Sequence, residues 1–216
     1  MGKVIAIDGP SGAGKSTIAK LIARELGFDY LDTGALYRAV AFALRKVDID
    51  IKDDDKKIMD LLLKVNISFN NGRVFLNGRD ISSEIRSREI DYYSSVFSTK
   101  KIVRDFLLTI QRKLATINNI VVEGRDTTTV AFPDAWKKIY LDASPDERAK
   151  RRYLQFKDKA IYATMDEAKR EVIERDRRDS NRDIAPLKKA EDAFFIDSSN
   201  MSVEQAKEEI LRFIKT

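Results

Sequence analysis

The chain has 216 residues, 43% of them hydrophobic and 35% charged, which is long enough for one or two domains with a buried core and too apolar for a disordered chain. It contains no cysteine and no histidine, which excludes disulfides, thiolate and imidazole catalysis, protease triads, and ordinary zinc or haem sites. The net charge of +5 suits anionic partners, either nucleic acid or small phosphates, and the remaining chemistry rests on Lys, Arg, carboxylates, hydroxyls, amides or an oxygen-ligated ion such as Mg²⁺.

Residues 3–8 (KVIAID) read as a buried strand entering the glycine loop Gly9-Pro10-Ser11-Gly12-Ala13-Gly14-Lys15-Ser16-Thr17. Ile18, Leu21, Ile22 and Leu26 then recur at helical spacing until Gly27, a helix stop. Apolar runs of strand length follow at 28–31, 119–122, 138–141 and 194–196, separated by helical patterns. That alternation predicts an α/β fold with a parallel sheet covered by helices. Between the second and third runs the grammar changes. Val65, Ile67 and Phe69 alternate with polar residues, Asn71-Gly72 and Asn77-Gly78 mark tight turns, and short apolar runs lie between them. This predicts an inserted antiparallel meander, flanked by helices near 53–64 and 100–116. Ser144, Thr164 and Ser202 each open a helix with capping-box grammar. Residues 155–163 lack a core pattern and are expected to form a mobile lid. The expected organisation is a core of residues 1–50 and 117–216, a lid near 148–165 and an insert over 51–116. No signal peptide or membrane span is evident, so a cytoplasmic monomer is expected.

Gly9-x4-Gly14-Lys15-Ser16 is a complete P-loop in its required setting, strand before and helix after. Backbone N–H groups would cradle phosphates, Lys15 would reach the β/γ-phosphates and Ser16 would ligate Mg²⁺. A guanine-recognition Asn-Lys-x-Asp is missing, and no apolar strand ends in Asp-Glu, which argues against a GTPase and a ring ATPase. A kinase acting on a small molecule is left, and it needs a second-substrate site.

The P-loop segment, then Leu31-Asp32-Thr33-Gly34-Ala35-Leu36-Tyr37-Arg38, Glu123-Gly124-Arg125-Asp126, Asp142-Ala143-Ser144 with Glu147-Arg148 and Arg151-Arg152, and finally Arg175-Asp176-Arg177-Arg178-Asp179-Ser180-Asn181-Arg182 with Ala185-Pro186-Leu187 resemble bacterial cytidylate kinases in order over nearly the whole chain. The resemblance implies a P-loop kinase fold: a five-stranded parallel sheet flanked by helices, a nucleoside-monophosphate-binding insert made of a small antiparallel meander plus helices, and a short lid. It implies direct in-line phosphoryl transfer from ATP, with Mg²⁺, to CMP and dCMP, with no nucleic-acid or membrane partner. Carried over, Thr33, Tyr37 and Arg38 touch the sugar and α-phosphate. Ser95, Arg104, Asp126 and Arg182 address cytosine, Arg125 lies beside the acceptor phosphate, and Arg175 with Asp179 faces the ribose. Thr33 and Ser16 stand where relatives often have Ser and Gly, and Thr127-Thr128-Thr129 follows Asp126.

Spacing alone adds two points. Arg148, Arg151 and Arg152 fall at i, i+3 and i+4, a cationic helix face that an anion would relieve; with Lys15 of the P-loop and Arg125 as the resemblance implies, Arg148 and Arg152 complete the expected catalytic cations. Arg175, Arg178, Asp179 and Arg182 repeat that pattern. Two alternatives stay open at this point: a nucleic-acid-binding P-loop protein, weakened by Asp176, Asp179 and Asp183 among the arginines, and a UMP/CMP or adenylate kinase.

Overall fold

The computed structural model describes residues 2–70, 72–158 and 160–216. In chain order the first half of the core is β1 (Val4–Asp8), α1 (Lys15–Leu26), β2 (Asp29–Asp32) and α2 (Thr33–Arg45). The insert is next, as α3 (Asp55–Leu62), β3 (Ile67–Asn70), β4 (Arg73–Leu76), β5 (Arg79–Asp80), α4 (Arg88–Phe97) and α5 (Lys101–Ala115). The chain then returns to the core with β6 (Ile120–Gly124), β7 (Lys137–Asp142), α6 (Pro145–Asp158), α7 (Met165–Asn181), β8 (Phe194–Asp197) and α8 (Val203–Lys215).

The main sheet has five parallel strands in the order β2-β6-β1-β7-β8, and β3-β4-β5 form a separate antiparallel sheet. β1 is central and buried at all five positions, as its unbroken apolar run requires. The two faces of the sheet carry two apolar clusters. Ile5, Ile7, Ile22 and Ile210 pack under α1 and α8, while Leu31, Val122, Leu36 and Leu107 pack under α2 and the insert. The insert therefore shares its core with the sheet instead of closing around one of its own.

Local rules explain the boundaries. Gly27 ends α1 at φ 65, and Asn77-Gly78 turns with φ 51 and 80, the positive values a type I′ hairpin demands. The other expected turn includes Asn71, which lies outside the described residues. Reciprocal capping boxes form at Thr164–Glu167 and Ser202–Gln205, and Ser144 Oγ accepts from Glu147 N at 3.3 Å.

One element departs from expectation. Helix α4 is not among the expected elements, because its buried face, Ile90, Ser94, Ser95 and Phe97, is half serine and breaks apolar periodicity. The segment 155–163 is helical through Asp158, and Phe156 is buried with the guanidinium groups of Arg88 and Arg152 over its ring at 5.0 and 4.6 Å. Lys159 lies outside the described residues. Among the described residues no helix is long and apolar enough to cross a membrane. The single tryptophan, Trp136, sits just before β7 with Lys3 Nζ 4.1 Å and Lys137 Nζ 5.6 Å from ring centroids.

The glycine loop lies against the end of β7. A Cβ placed on Gly9 would meet the Leu141 carbonyl oxygen at 1.9 Å, a backbone atom that cannot rotate away. Gly9→Ala is therefore expected to destabilise the fold by roughly 3 kcal/mol or more, as severe overpacking does. Urea unfolding without any nucleotide measures this, and an unchanged midpoint would contradict it.

Candidate active site

The phosphate cradle is built from outside inward. Arg148 donates from Nε to Ala143 O at 2.9 Å and from NH1 to Ser11 O at 3.0 Å, and NH1 also pairs with Asp176. Arg151 NH1 donates to Ala13 O at 3.1 Å. With the outer carbonyls of Ser11 and Ala13 held in this way, the left-handed residues Gly12 (φ 78) and Gly14 (φ 95) bring the open N-terminus of α1 onto the cleft. The first-turn N–H groups of Lys15, Ser16 and Thr17 have no intrahelical acceptor and face a ready anion site.

Lys15 Nζ folds back onto Pro10 O at 2.7 Å. Burial pushes its ammonium down to about 7, Arg125 adds to that shift and Glu123 opposes it. An anion placed beside it would raise it again. Ser16 Oγ donates to Glu123 Oε1 at 2.5 Å, and Tyr30 Oη donates to the same oxygen at 3.2 Å. Burial, with Asp32 nearby, pushes the Glu123 carboxyl up, against the pull of Lys15.

The second half of the cleft starts at the end of β6. Asp8, wholly buried, accepts from the N–H and hydroxyl of both Thr127 and Thr128 at 2.6–2.9 Å. Burial pushes the Asp8 carboxyl up, and the two threonine hydroxyls and the Thr128 N–H counter it. They pin the single π-helical turn Thr127–Ala131, and with it the residue just before, Asp126. Asp126 pairs with Arg104 from α5, and accepts from Arg182 NH2 at 3.4 Å. Arg104 also caps Ser98 O at 3.0 Å and lies 5.5 Å over the Tyr37 ring, while Arg182 binds Ala185 O and Ser98 Oγ.

Arg125 donates from Nε to Asp179 Oδ2 at 3.0 Å and from NH1 to Gly124 O at 3.1 Å. Burial favours the neutral Asp179, yet Arg125, Arg175 and Arg182 together hold its carboxyl below the usual range. Thr33 Oγ1 is bound to Glu123 O at 2.8 Å, and Asp32 caps α2 through Ala35 N at 2.9 Å. Ser95 Oγ accepts from Arg178 Nε at 3.1 Å.

One cleft collects most of the residues expected from sequence. Its wall includes Ser11, Gly12, Gly14, Lys15, Ser16 and Thr17 on one side. Thr33, Tyr37, Arg38, Ser95, Asp126 and Arg182 line the other, with Arg125, Arg152, Arg175 and Asp179 between them. Gly9, Pro10, Ala13, Arg104 and Arg148 stand behind the wall. Arg148 in particular buttresses the loop instead of facing the cleft, since α6 crosses the loop one turn before Arg152. The cleft also contains Asp32, Ser98, Glu123 and Gln155, none of which is singled out as a site residue by sequence reasoning. For Glu123 the available signal is a carboxylate ending the buried run IVVE.

The family model described as cytidylate kinase matches residues 5–216. A cytidylate kinase of Thermodesulfovibrio yellowstonii is 51% identical, covering 98% of this chain and 97% of its own, and one of Thermotoga maritima is 45% identical, covering 100% and 98%. This chain belongs to the cytidylate kinase family. Among solved structures, a shikimate kinase from Bacteroides thetaiotaomicron aligns with TM-score 0.50 over 99% of each chain at 11% identity, which shows a shared fold and no more.

Membership in the cytidylate kinase family accords with the direction of the α7 arginines. Arg175 and Arg178 turn inward to Asp91 and Ser95, and the C-capping Arg182 to Asp126, so they do not form the open basic face that a nucleic-acid backbone needs. Lys15→Ala is expected to abolish transfer nearly completely and leave monophosphate binding largely intact, measured by steady-state kinetics and calorimetry. The two α6 arginines should separate. Arg148→Ala removes a buried, multiply bonded cation and is expected to cost about 2–3 kcal/mol of stability. Arg152→Ala is expected to lower kcat about 100-fold with a small stability change, because its guanidinium lines the cleft. Equal unfolding midpoints for the two variants would contradict this division.

Proposed function

We propose that this protein transfers the terminal phosphoryl group of ATP directly to the phosphate of CMP and dCMP. The observation that carries the proposal is that a phosphate-binding glycine loop and a carboxylate held between two arginines, Asp126, face one cleft. In this reading the core of residues 1–50 and 117–216 binds the donor, the insert of residues 51–116 contributes to the monophosphate site, and the region near 148–165 closes as a lid carrying Arg152. A cytoplasmic monomer is the expected working form.

Lys15 and the first turn of α1 would hold the donor phosphates. The donor set fits Mg²⁺, since Ser16 Oγ and the Glu123 carboxylate are hard oxygens in contact at the mouth of the loop. When bound, that ion supplies charge neutralisation on the transferring group. The acceptor needs no general base. A phosphate monoester has a second pKa of about 6 and is largely dianionic at neutral pH, which suits a chain without histidine. Arg38 and Arg125 would align it, and Arg152 would meet charge on the loose transferring group while the lid excludes water. Thr33 and Tyr37 would face the sugar, and Arg175 with Asp179 the ribose hydroxyls.

Base choice depends on donors and acceptors. Cytosine offers an exocyclic amine where uracil offers a carbonyl. A carboxylate at Asp126 accepts from the amine but opposes the carbonyl with no proton between them. Arg182 and Arg104, with Ser95 beside them, supply the donors for ring acceptors. Such sites can discriminate by up to about 10⁴-fold. The deciding experiment is kcat/KM with CMP, dCMP, UMP and AMP, and equal turnover of UMP or AMP would refute the proposal. Asp126→Asn is expected to lower the CMP/UMP ratio at least about tenfold, because an amide can turn its NH₂ toward uracil O4. An unchanged ratio would remove Asp126 from base selection.

A further inference from the structure

Asp91, on α4 of the insert, has no direct part in phosphoryl transfer. Its carboxylate receives three guanidinium groups from three other elements. Oδ1 accepts from Arg38 Nε (α2) at 3.0 Å and from Arg175 NH1 (α7) at 2.9 Å, and Oδ2 accepts from Arg152 NH2 (α6) at 2.7 Å. Arg38, Arg152 and Arg175 all line the cleft, whereas Asp91 is not on its wall and lies behind them.

That placement has consequences for both geometry and charge. Each arginine spends one nitrogen on Asp91 and keeps others for the cleft. Arg175 Nε is buried without a hydrogen-bond partner and lies 3.9 Å from Asp179 Oδ2, and Arg38 NH1 is 3.8 Å from Asp32. Arg152 NH2 also reaches Glu171 at 3.3 Å, but Glu171 is shared with Arg88. Asp91 is the one carboxylate common to all three; Asp32, Asp179 and Glu171 lie farther off at 3.3–3.9 Å, and the last two are shared with Arg125 and Arg88, so positive charge is left for the dianion of a phosphate monoester. Without the carboxylate three guanidinium groups from separate helices would repel at close range in a poorly solvated site. Burial alone would favour the neutral acid, but Arg175, Arg38 and Arg152 together hold the Asp91 carboxyl well below the usual range.

We propose that Asp91 is a positioning residue for the acceptor phosphate: from behind the cleft wall it fixes Arg38, Arg152 and Arg175 with their remaining N–H donors toward the phosphate of the monophosphate substrate. This rests on the reading of the protein as a CMP kinase. Because the carboxylate is on the far side of the arginines, an entering phosphate completes their shells and does not compete with it.

The test compares wild type with Asp91→Asn, which keeps shape and loses charge. KM for CMP is expected to rise at least about tenfold, as loss of hydrogen bonds to charged groups does, while KM for ATP changes less than about twofold. Loss of thermal stability with both KM values intact would mean a merely structural residue and would overturn the proposal. A fall in KM for CMP would overturn it too, because Asp91 would then be a competitor of phosphate. In an Arg38→Lys background, Asp91→Asn should add less than about threefold, since residues acting through one another are not additive. A full additional tenfold would count against the mechanism. If Asp91→Asn does not fold, Asp91→Ser, with a residue tolerated early in a helix, is subject to the same criteria. Absence of CMP phosphorylation by the wild-type protein overturns the kinase reading and this inference together, whereas a normal KM for CMP in the variant of an active enzyme overturns this inference alone.

Discussion

Seven arginines stand in or behind one cleft, and each is held by a carboxylate from a different part of the chain. Arg38, Arg152 and Arg175 meet Asp91, Arg104 and Arg182 meet Asp126, Arg125 meets Asp179, and Arg148 meets Asp176. Asp32, Asp142 and Glu171 lie within 3.9 Å of Arg38, Arg148 and Arg152 as well, so the network is nearly balanced in charge, and Arg38, Arg125, Arg152, Arg175 and Arg182 are the members that line the cleft. A buried pair gives little net stability, but removing one member costs about 3–5 kcal/mol because the other is left uncompensated. Such a network therefore serves to specify geometry: α2, α4, α6 and α7 can approach only in the arrangement that neutralises them.

The parallel sheet supplies the rest of the order. β1, β2 and β7 end in Asp8, Asp32 and Asp142, and β6 presents Glu123 one residue before its end. All four carboxylates sit at the same edge of the sheet, and each restrains a neighbouring segment of the cleft: Asp8 the turn after Asp126, Asp32 the start of α2, Glu123 the Ser16 hydroxyl, and Asp142 the N–H of Ala143 next to α6. Ligands of open α/β sheets bind at that edge. In this protein the edge carries its own set of acceptors, so loops that contact phosphate are fixed before any phosphate arrives.

Much of this is legible in the sequence. The glycine loop, the five strand segments, the meander and the capping boxes obey local rules, and local contacts satisfy them. The arginines are legible as a class through their spacing. Their assignments are less so, because i, i+3 and i+4 describe one helix and say nothing of the elements that cross it. Arg148 and Arg152 differ by one turn, and that turn separates a loop buttress from a cleft cation. Asp91 and Asp176 are not legible. Each reads as an ordinary acidic residue on a helix, and its meaning depends on partners far away in sequence, such as Arg38 and Arg175 for Asp91. Helix α4 escapes pattern reading for a related reason, since serines on its buried face trade apolar periodicity for hydroxyls near the cleft.

The position of Trp136 has a spectroscopic consequence. It lies where β7 begins, with Lys3 and Lys137 against its indole, at the end of the strands opposite the phosphate loop. As the sole tryptophan, it dominates the emission of a chain whose cleft contains Tyr37 and whose Glu123 is bonded to Tyr30. Its fluorescence is therefore expected to track integrity of the sheet more than occupancy of the cleft, whereas Tyr37 lines the cleft itself. Optical signals for unfolding and for binding are thus separated in this molecule by residue type.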